Sequence, residues 1–233
     1  MLNHLIELRR RLLHIASAFL ALFILFFFSA HDLFHWVVSP LLKALPGHNG
    51  LIATQITSPL ITPLRLAADA ALLATTPFAL YQVWGFVAPG LYHHERQNLR
   101  MLITISLLLF MIGVLFCFYI VLPLMLQFFV TAMPAEVRFL PDMAYAVDFI
   151  TRMLFIFGLS FQVPLLCLLL VRLQLLQVAT LKTIRPYVIV AAFTVGMLLT
   201  PPDVFSQVML AIPLCLLYEM GILLTVFLQP KMP

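Results

Sequence analysis

An all-α, polytopic membrane protein of six spanning helices, forming one integral membrane domain over residues 1–233, is the fold class this sequence predicts. Three observations predict it. Hydrophobic residues make up 64% of the chain and charged residues only 9%, against roughly 25% charged in soluble domains. Mean hydropathy is +1.10. The apolar residues fall into long runs, most able to cross about 30 Å of hydrocarbon at about 1.5 Å per helical residue, with the charges gathered at their ends. No water is available in a bilayer core to bond the backbone, so each run must satisfy its own peptide groups as a helix.

The first span, 12–29, follows Arg9, Arg10 and Arg11. Its apolar region exceeds the roughly 7–15 residues of a cleaved export signal, and Ser29-Ala30-His31 is a poor cleavage site, so it reads as a retained anchor. Residues 31–62 form the longest connection, for which the prolines predict an ordered extramembrane loop with short helical turns. His31, Asp32 and His35 have i, i+4 spacing but lack a third ligand nearby, so no metal site is assigned. The second span, 63–86, opens on Pro63, a favourable first-turn proline. Arg65 and Asp69 lie one turn apart near its start, where they are expected to neutralise each other. The third span, 99–130, would reach about 45 Å as an unbroken helix; it must tilt, kink at Pro123 or project beyond the membrane.

Residues 131–148 form a second outer loop. The fourth span, 149–171, opens with Asp148 and Arg152 at i, i+4, the acid at the positive end of the helix dipole. Gln162 lies more than a dozen residues inside it, ahead of Pro164, and an amide at that depth needs a partner. Residues 172–185 read as a short polar turn carrying Arg172, Lys182 and Arg185. The fifth span, 186–199, is too short to cross an ordinary bilayer upright and stops at Thr200-Pro201-Pro202-Asp203. The sixth, 204–228, is interrupted by Pro213 and Glu219. This short last pair implies a locally thinned membrane.

Basic residues orient the chain. Arg9, Arg10, Arg11, Arg96, Arg100, Arg172, Lys182, Arg185 and Lys231 fall on one side, and Lys43, Arg65, Arg138 and Arg152 on the other. This asymmetry places both termini in the cytoplasm. It also accounts for the net charge of +4, which is spread over helix ends and forms no patch for nucleic acid. Glu7 and Glu95 then share the cytoplasmic face. Tyr81, Trp84 and Tyr92 have rings that settle at headgroup level, which puts Glu95 just outside the hydrocarbon, where an ionised, weakly screened carboxylate attracts a cation.

Enzyme chemistry is missing. The seven histidines fall near helix ends or in loops, there is no G-x-S-x-G, and a chain with eight glycines holds no P-loop pattern. No catalytic residue or cofactor is assigned. Cys117, Cys167 and Cys215 sit in apolar runs without C-x-x-C spacing and read as small core residues. Gln162 and Glu219, the intramembrane polar groups, keep a secondary transporter or channel for a small solute as the alternative function.

Four stretches in order carry a family resemblance: HLIELRRRL at 4–12, TSPLITPLRL at 57–66, YQVWGFVAPGLYHHER at 81–96 and RPYVIVAAFTVGMLLTPPDVFSQ at 185–207. Over nearly its whole length the chain resembles the TatC family, the receptor subunit of the bacterial twin-arginine (Sec-independent) protein translocase. That resemblance implies a cup-shaped, six-helix, non-enzymatic protein of the bacterial inner membrane with cytoplasmic termini. It would bind twin-arginine signal peptides and, with the single-span partners TatA and TatB, support proton-motive-force-driven export of folded proteins, self-associating in the receptor complex. Glu7 and Glu95 match the family's acidic signal-binding positions, with pairing of Glu7 to Arg10 or Arg11 and of Glu95 to Arg96 or Arg100 as their plainer roles, and Phe86 matches the aromatic that closes the second span. Met197, Thr200 and Gln207 match the patch where partner helices dock. Asp203 matches an outer acidic position, with a helix cap beside Pro201 and Pro202 as its plainer role. One departure concerns Phe161-Gln162-Val163-Pro164, where many members carry glutamate in place of Gln162.

The basic asymmetry is tested by labelling. Single cysteines at Asn49 and Glu136, in a background lacking the native cysteines, are expected to react with an impermeant thiol reagent from outside, and one at Gln97 is expected not to. Labelling of Gln97 from outside would reverse the orientation.

Overall fold

The computed structural model describes residues 2–44, 50–87, 99–132, 140–199 and 204–228. Helix α1, Leu2–Phe28, begins well before the expected first span, because nothing from residue 2 to residue 28 is glycine or proline. The arginine triplet therefore lies on a helical rod. Helix α2, Ala30–Ala44, is one continuous helix where a loop with short turns was expected. It survives Pro40 because the Ser39 hydroxyl donates to the Trp36 carbonyl at 2.9 Å, the acceptor that Pro40 leaves without its usual donor. Val37, Val38 and Leu41 are buried on its inner face.

Helix α3, Ser58–Val87, starts five residues earlier than predicted, so Pro59 lies in its first turn and Pro63 lies inside the helix. The third span is α4, Leu99–Phe116, one π-helical turn, Cys117–Val121, and α5, Leu122–Thr131. The irregularity falls beside Pro123, as expected, because a proline cannot donate back to the preceding turn. The fourth span is likewise divided. Helix α6, Met143–Ser160, and α7, Val163–Arg172, meet at Phe161 and Gln162, with Pro164 in the first turn of α7.

Two electrostatic expectations are corrected here. Asp142, not Asp148, caps α6, accepting from the amides of Ala144 at 2.9 Å and Tyr145 at 3.2 Å, which leaves Asp148 in the second turn. Arg65 does not pair with Asp69. It faces Asp148 across the α3–α6 interface at 3.8 Å, Arg152 reaches the same carboxylate at 3.7 Å, and Asp69 accepts from the Thr151 hydroxyl at 2.9 Å. With the cation N-terminal to the acid, an i, i+4 pair has the weaker orientation, so partners on the neighbouring helix prevail.

The polar turn after α7 is shorter than predicted and bends at Gln174, whose φ is 57°. Helix α8, Val178–Leu199, consequently carries Lys182 and Arg185 on helical backbone, although its uninterrupted apolar stretch still begins after Pro186. Helix α9, Val204–Leu228, keeps the expected limits. Among the described residues, six helical segments are long and apolar enough to cross a membrane: Ile6–Phe28, Ser58–Phe86, Arg100–Thr131, Met143–Arg172, Val178–Leu199 and Gln207–Phe227.

Helix α1 packs chiefly along α3, α6 packs against α3 and α4, and α9 packs against both α7 and α8. The main core gathers Val38, Leu66, Leu122, Met125, Ile150, Met153 and Phe157, so α2, α3, α5 and α6 meet at one end of the bundle. Smaller cores form around Trp84, Leu165 and Leu168 and around Cys167, Tyr218 and Ile222. Exposed Phe28, Leu60 and Phe227 point outward, as lipid-facing residues do.

A short staple joins the two loops beside the main core. Ile52 donates to the Pro141 carbonyl at 3.1 Å and accepts from the Met143 amide at 2.9 Å, while Asp142 accepts from the Thr54 hydroxyl at 2.6 Å and amide at 3.0 Å. The Thr54 hydroxyl, then its amide and those of Tyr145 and Ala144, hold the Asp142 carboxyl below the usual carboxylate range. Its folded value lies below its unfolded one, so the stabilisation is complete above the ordinary range and is lost as pH falls through the lowered value. Asp142→Ala is expected to cost about 1–2 kcal/mol near neutral pH. It should also flatten the acid side of the melting-temperature profile in detergent; an unchanged profile would remove Asp142 from the staple.

Candidate functional site

Where α1 crosses the carboxyl end of α3, one guanidinium organises the contact. Arg11 Nε and Nη2 donate to Glu7 Oε1 at 3.1 and 2.7 Å, one helical turn back. Nη1 donates to the Gln82 carbonyl at 3.0 Å and to Gln82 Oε1 at 3.1 Å, and Nη2 donates to the Gly85 carbonyl at 3.1 Å. All five N–H groups of the side chain are thereby used. The local sequence makes this possible twice over. Four residues after Gly85 stands Pro89, which has no N–H to offer its carbonyl. A Cβ on residue 85 would also lie 2.5 Å from Arg11 Nη1, so glycine lets the guanidinium sit where it does without shifting.

Glu7 is thus fixed through one oxygen, and Oε2 carries no hydrogen bond among the described residues. Beside it lies an open cavity of about 340 Å³ lined by Glu7, Arg10, Arg11, His14, Tyr81 and Gln82. Phe86 is half-buried in the last turn of α3. Tyr81 is exposed, in keeping with a headgroup-level ring, but Trp84 is only 5% exposed. The expectation that Trp84 belongs to an aromatic collar is therefore corrected: its indole N–H finds a hydroxyl inside the protein and needs no interface. Glu95 and Tyr92 lie outside the described residues.

That hydroxyl belongs to a buried network. Trp84 Nε1 donates to Ser106 Oγ at 2.9 Å, Ser106 Oγ donates to Gln162 Oε1 at 2.7 Å, and Gln162 Nε2 returns a bond to the Ser106 carbonyl at 2.8 Å. The deep amide finds its partner on a neighbouring helix, joining the α6–α7 break to α4 and α3. Glu219 pairs with Arg185 at 2.7 Å, tying α9 to α8, and Tyr218 donates to the Leu181 carbonyl at 2.8 Å beside it.

Near the far ends of α8 and α9, Met197 is largely exposed while Gln207 is partly covered. A Cβ on Gly196 would stand 3.4 Å from the Gln207 carbonyl, so the two helices approach closely there and leave Met197 facing outward. Thr200 and Asp203 lie outside the described residues. The structure brings Glu7 and Phe86 to one end of α1 and α3, while Gln162, Glu219 and the Met197–Gln207 edge occupy separate places.

Comparison with known proteins gives this geometry a context. Residues 3–213 match the model of the family described as Sec-independent protein translocase protein (TatC). The chain belongs to the TatC family. It is 43% identical to the Sec-independent protein translocase protein TatC of Haemophilus influenzae over 231 residues, covering 99% of this chain and 90% of that protein. The TatC protein of Escherichia coli K12 is similar to the same extent, 43% over 231 residues with the same coverage. A crystal structure of a twin arginine translocase receptor, TatC, superimposes with a TM-score of 0.87 at 35% identity, covering 96% of this chain and 98% of that one. As a TatC protein, the chain is a multi-pass membrane subunit of the Sec-independent protein translocase.

Several residues of this TatC protein escaped sequence reasoning. For Arg11 the sequence suggested a topology-setting charge and a pairing with Glu7 on its own helix, which is observed, but not its bonds to α3; Gly85 and Ser106 drew no attention. Pro89 in the sequence was the one available signal, since it announces an orphan carbonyl at Gly85. Nothing comparable pointed to Ser106. Gln162→Leu, which strands the Ser106 hydroxyl, is expected to cost about 1–2 kcal/mol of stability, scaled from buried hydrogen bonds in membranes and in soluble cores. Thermal unfolding in detergent checks this, and an unchanged melting temperature would make the network incidental.

Proposed function

We propose that this chain is the signal-peptide receptor of the translocase: it binds the paired arginines of twin-arginine signal peptides on the cytoplasmic face, through Glu7 and Glu95 with Phe86 beside them. The observation that carries the reading is the guanidinium site at the α1–α3 crossing, where Glu7, a carboxamide and two backbone carbonyls together accept every N–H of an arginine. A surface with this chemistry suits the ligand that the resemblance implies. The basic asymmetry supports an inner-membrane location with both termini and this site in the cytoplasm. TatA and TatB single-span subunits dock on the α8–α9 edge at Met197, Thr200 and Gln207, proton-motive force drives export of the folded cargo, and the chain self-associates in the receptor complex. The small-solute transporter reading loses ground because Gln162 is bonded by Ser106 and Glu219 by Arg185, leaving neither as an open ion ligand.

Arginine pairs should outcompete lysine pairs, since a guanidinium presents a planar fork and an ammonium does not. Glu95→Gln is expected to weaken signal-peptide binding at least about tenfold, roughly 1.4 kcal/mol, with a smaller loss for Glu7→Gln and little change in folding. Binding of Arg-Arg and Lys-Lys peptides to the detergent-solubilised protein decides it. Equal affinity for both peptides, or an unaltered Kd in Glu95→Gln, would sink the assignment.

A further inference from the structure

The guanidinium site at the α1–α3 crossing is already full. We infer that Arg11 is an internal stand-in for a substrate arginine: it occupies the nest formed by Glu7 Oε1, the Gln82 carbonyl and carboxamide, and the Gly85 carbonyl, and an incoming signal arginine binds there by exchange with it. This rests on the signal-peptide reading above.

The nest has the composition of a recognition site. An ordinary surface ion pair uses one or two donors and is largely exposed. Here all five N–H groups are met, the Arg11 side chain is 23% exposed, and its acceptors come from two helices, Glu7 on its own and Gln82 and Gly85 on α3, 71 and 74 residues further along the chain. One acceptor, the Gly85 carbonyl, belongs to the last turn of α3, where helix carbonyls lack internal partners and the dipole is negative. The guanidinium lies close against Gly85, where a Cβ would stand 2.5 Å from Nη1 and push it aside. An ammonium group would leave some of these acceptors unmet, so the nest discriminates arginine from lysine by geometry as well as charge.

Exchange also explains why one arginine would not suffice. Arg11 is tethered beside its acceptors and competes at a high effective concentration. A single incoming guanidinium makes no bond there that Arg11 does not already make. A second arginine, bound outside the nest, adds an interaction that the stand-in cannot match. The displaced Arg11 has somewhere to go, since the adjoining cavity of about 340 Å³, bordered by His14 and Tyr81, is open to it. Apparent affinity is then the intrinsic affinity reduced by the fraction of molecules whose nest is empty.

Two variants of the purified full chain, Arg11→Ala and Arg11→Gln, test this, the second retaining a polar stem should the first fail to fold. Emptying the nest is expected to tighten binding of a single-arginine signal peptide by about tenfold, as for a site vacant in roughly one molecule in ten, and to narrow the advantage of Arg-Arg over single-arginine peptides. In the same variants, millimolar ethylguanidinium should raise the melting temperature where ethylammonium does not, and neither should stabilise the wild type. Weaker or unchanged single-arginine binding in a folded variant would overturn the exchange and leave Arg11 as a brace for Glu7. Equal effects of the two small cations would overturn the nest itself. If no signal peptide binds wild type or variants while ethylguanidinium still stabilises the variants, the receptor reading fails, exchange with signals fails with it, and the guanidinium nest remains.

Discussion

A proline within a helix withdraws a backbone donor, and much of this structure answers that constraint. The carbonyl opposite Pro40 is taken by the Ser39 hydroxyl. At Pro123 the helix widens into a π turn, and at Pro164 it stops and restarts. The Gly85 carbonyl, four residues ahead of Pro89 in the sequence, is taken by Arg11 from another helix. The first three answers are local to the helix that carries the proline. The fourth brings a charge across to a neighbour, and the candidate site is built around it.

Side-chain polar groups obey the same rule. Gln162 interrupts an apolar span, yet it is bonded at both ends by Ser106, which also serves Trp84. Such a closed circuit costs little in a low-dielectric medium because each donor meets an acceptor, whereas any one member alone would be expensive. A carboxylate at position 162 would still accept from the Ser106 hydroxyl but would set its second oxygen, an acceptor, against the Ser106 carbonyl, unless protonated. The amide therefore belongs with this arrangement of neighbours.

The six spans were legible because about 20 apolar residues bounded by charge have few alternatives in a bilayer. Helix ends were less so. Hydropathy marks where a chain enters hydrocarbon, while a helix continues as long as no proline, glycine or cap stops it, which is why α1, α6 and α8 all begin before their apolar runs. Helix α2 was missed because its Pro40 looked like a breaker and the repairing Ser39 looked like loop composition. Pairings across helices were hardest. Asp69 chose Thr151 and Arg65 chose Asp148, since sequence spacing reveals only partners on the same helix. Glu7 was legible as an acid on the basic face, but its attachment to α3 depended on Gly85 lacking a Cβ, a fact visible only once two helices are set side by side.

The contact between α1 and α3 bears on how the chain is made. None of the most apolar stretch of α1 is fully buried, and its packing is chiefly against α3. The carbonyls that receive Arg11 are synthesised 71 and 74 residues after it. During biogenesis Arg11 therefore meets these carbonyls only once the end of α3 has been made. By then the start of α3 can already have met α2, whose Val38 shares a core with Leu66, so this crossing closes late and joins the amino-terminal arm to a helix pair that is already forming.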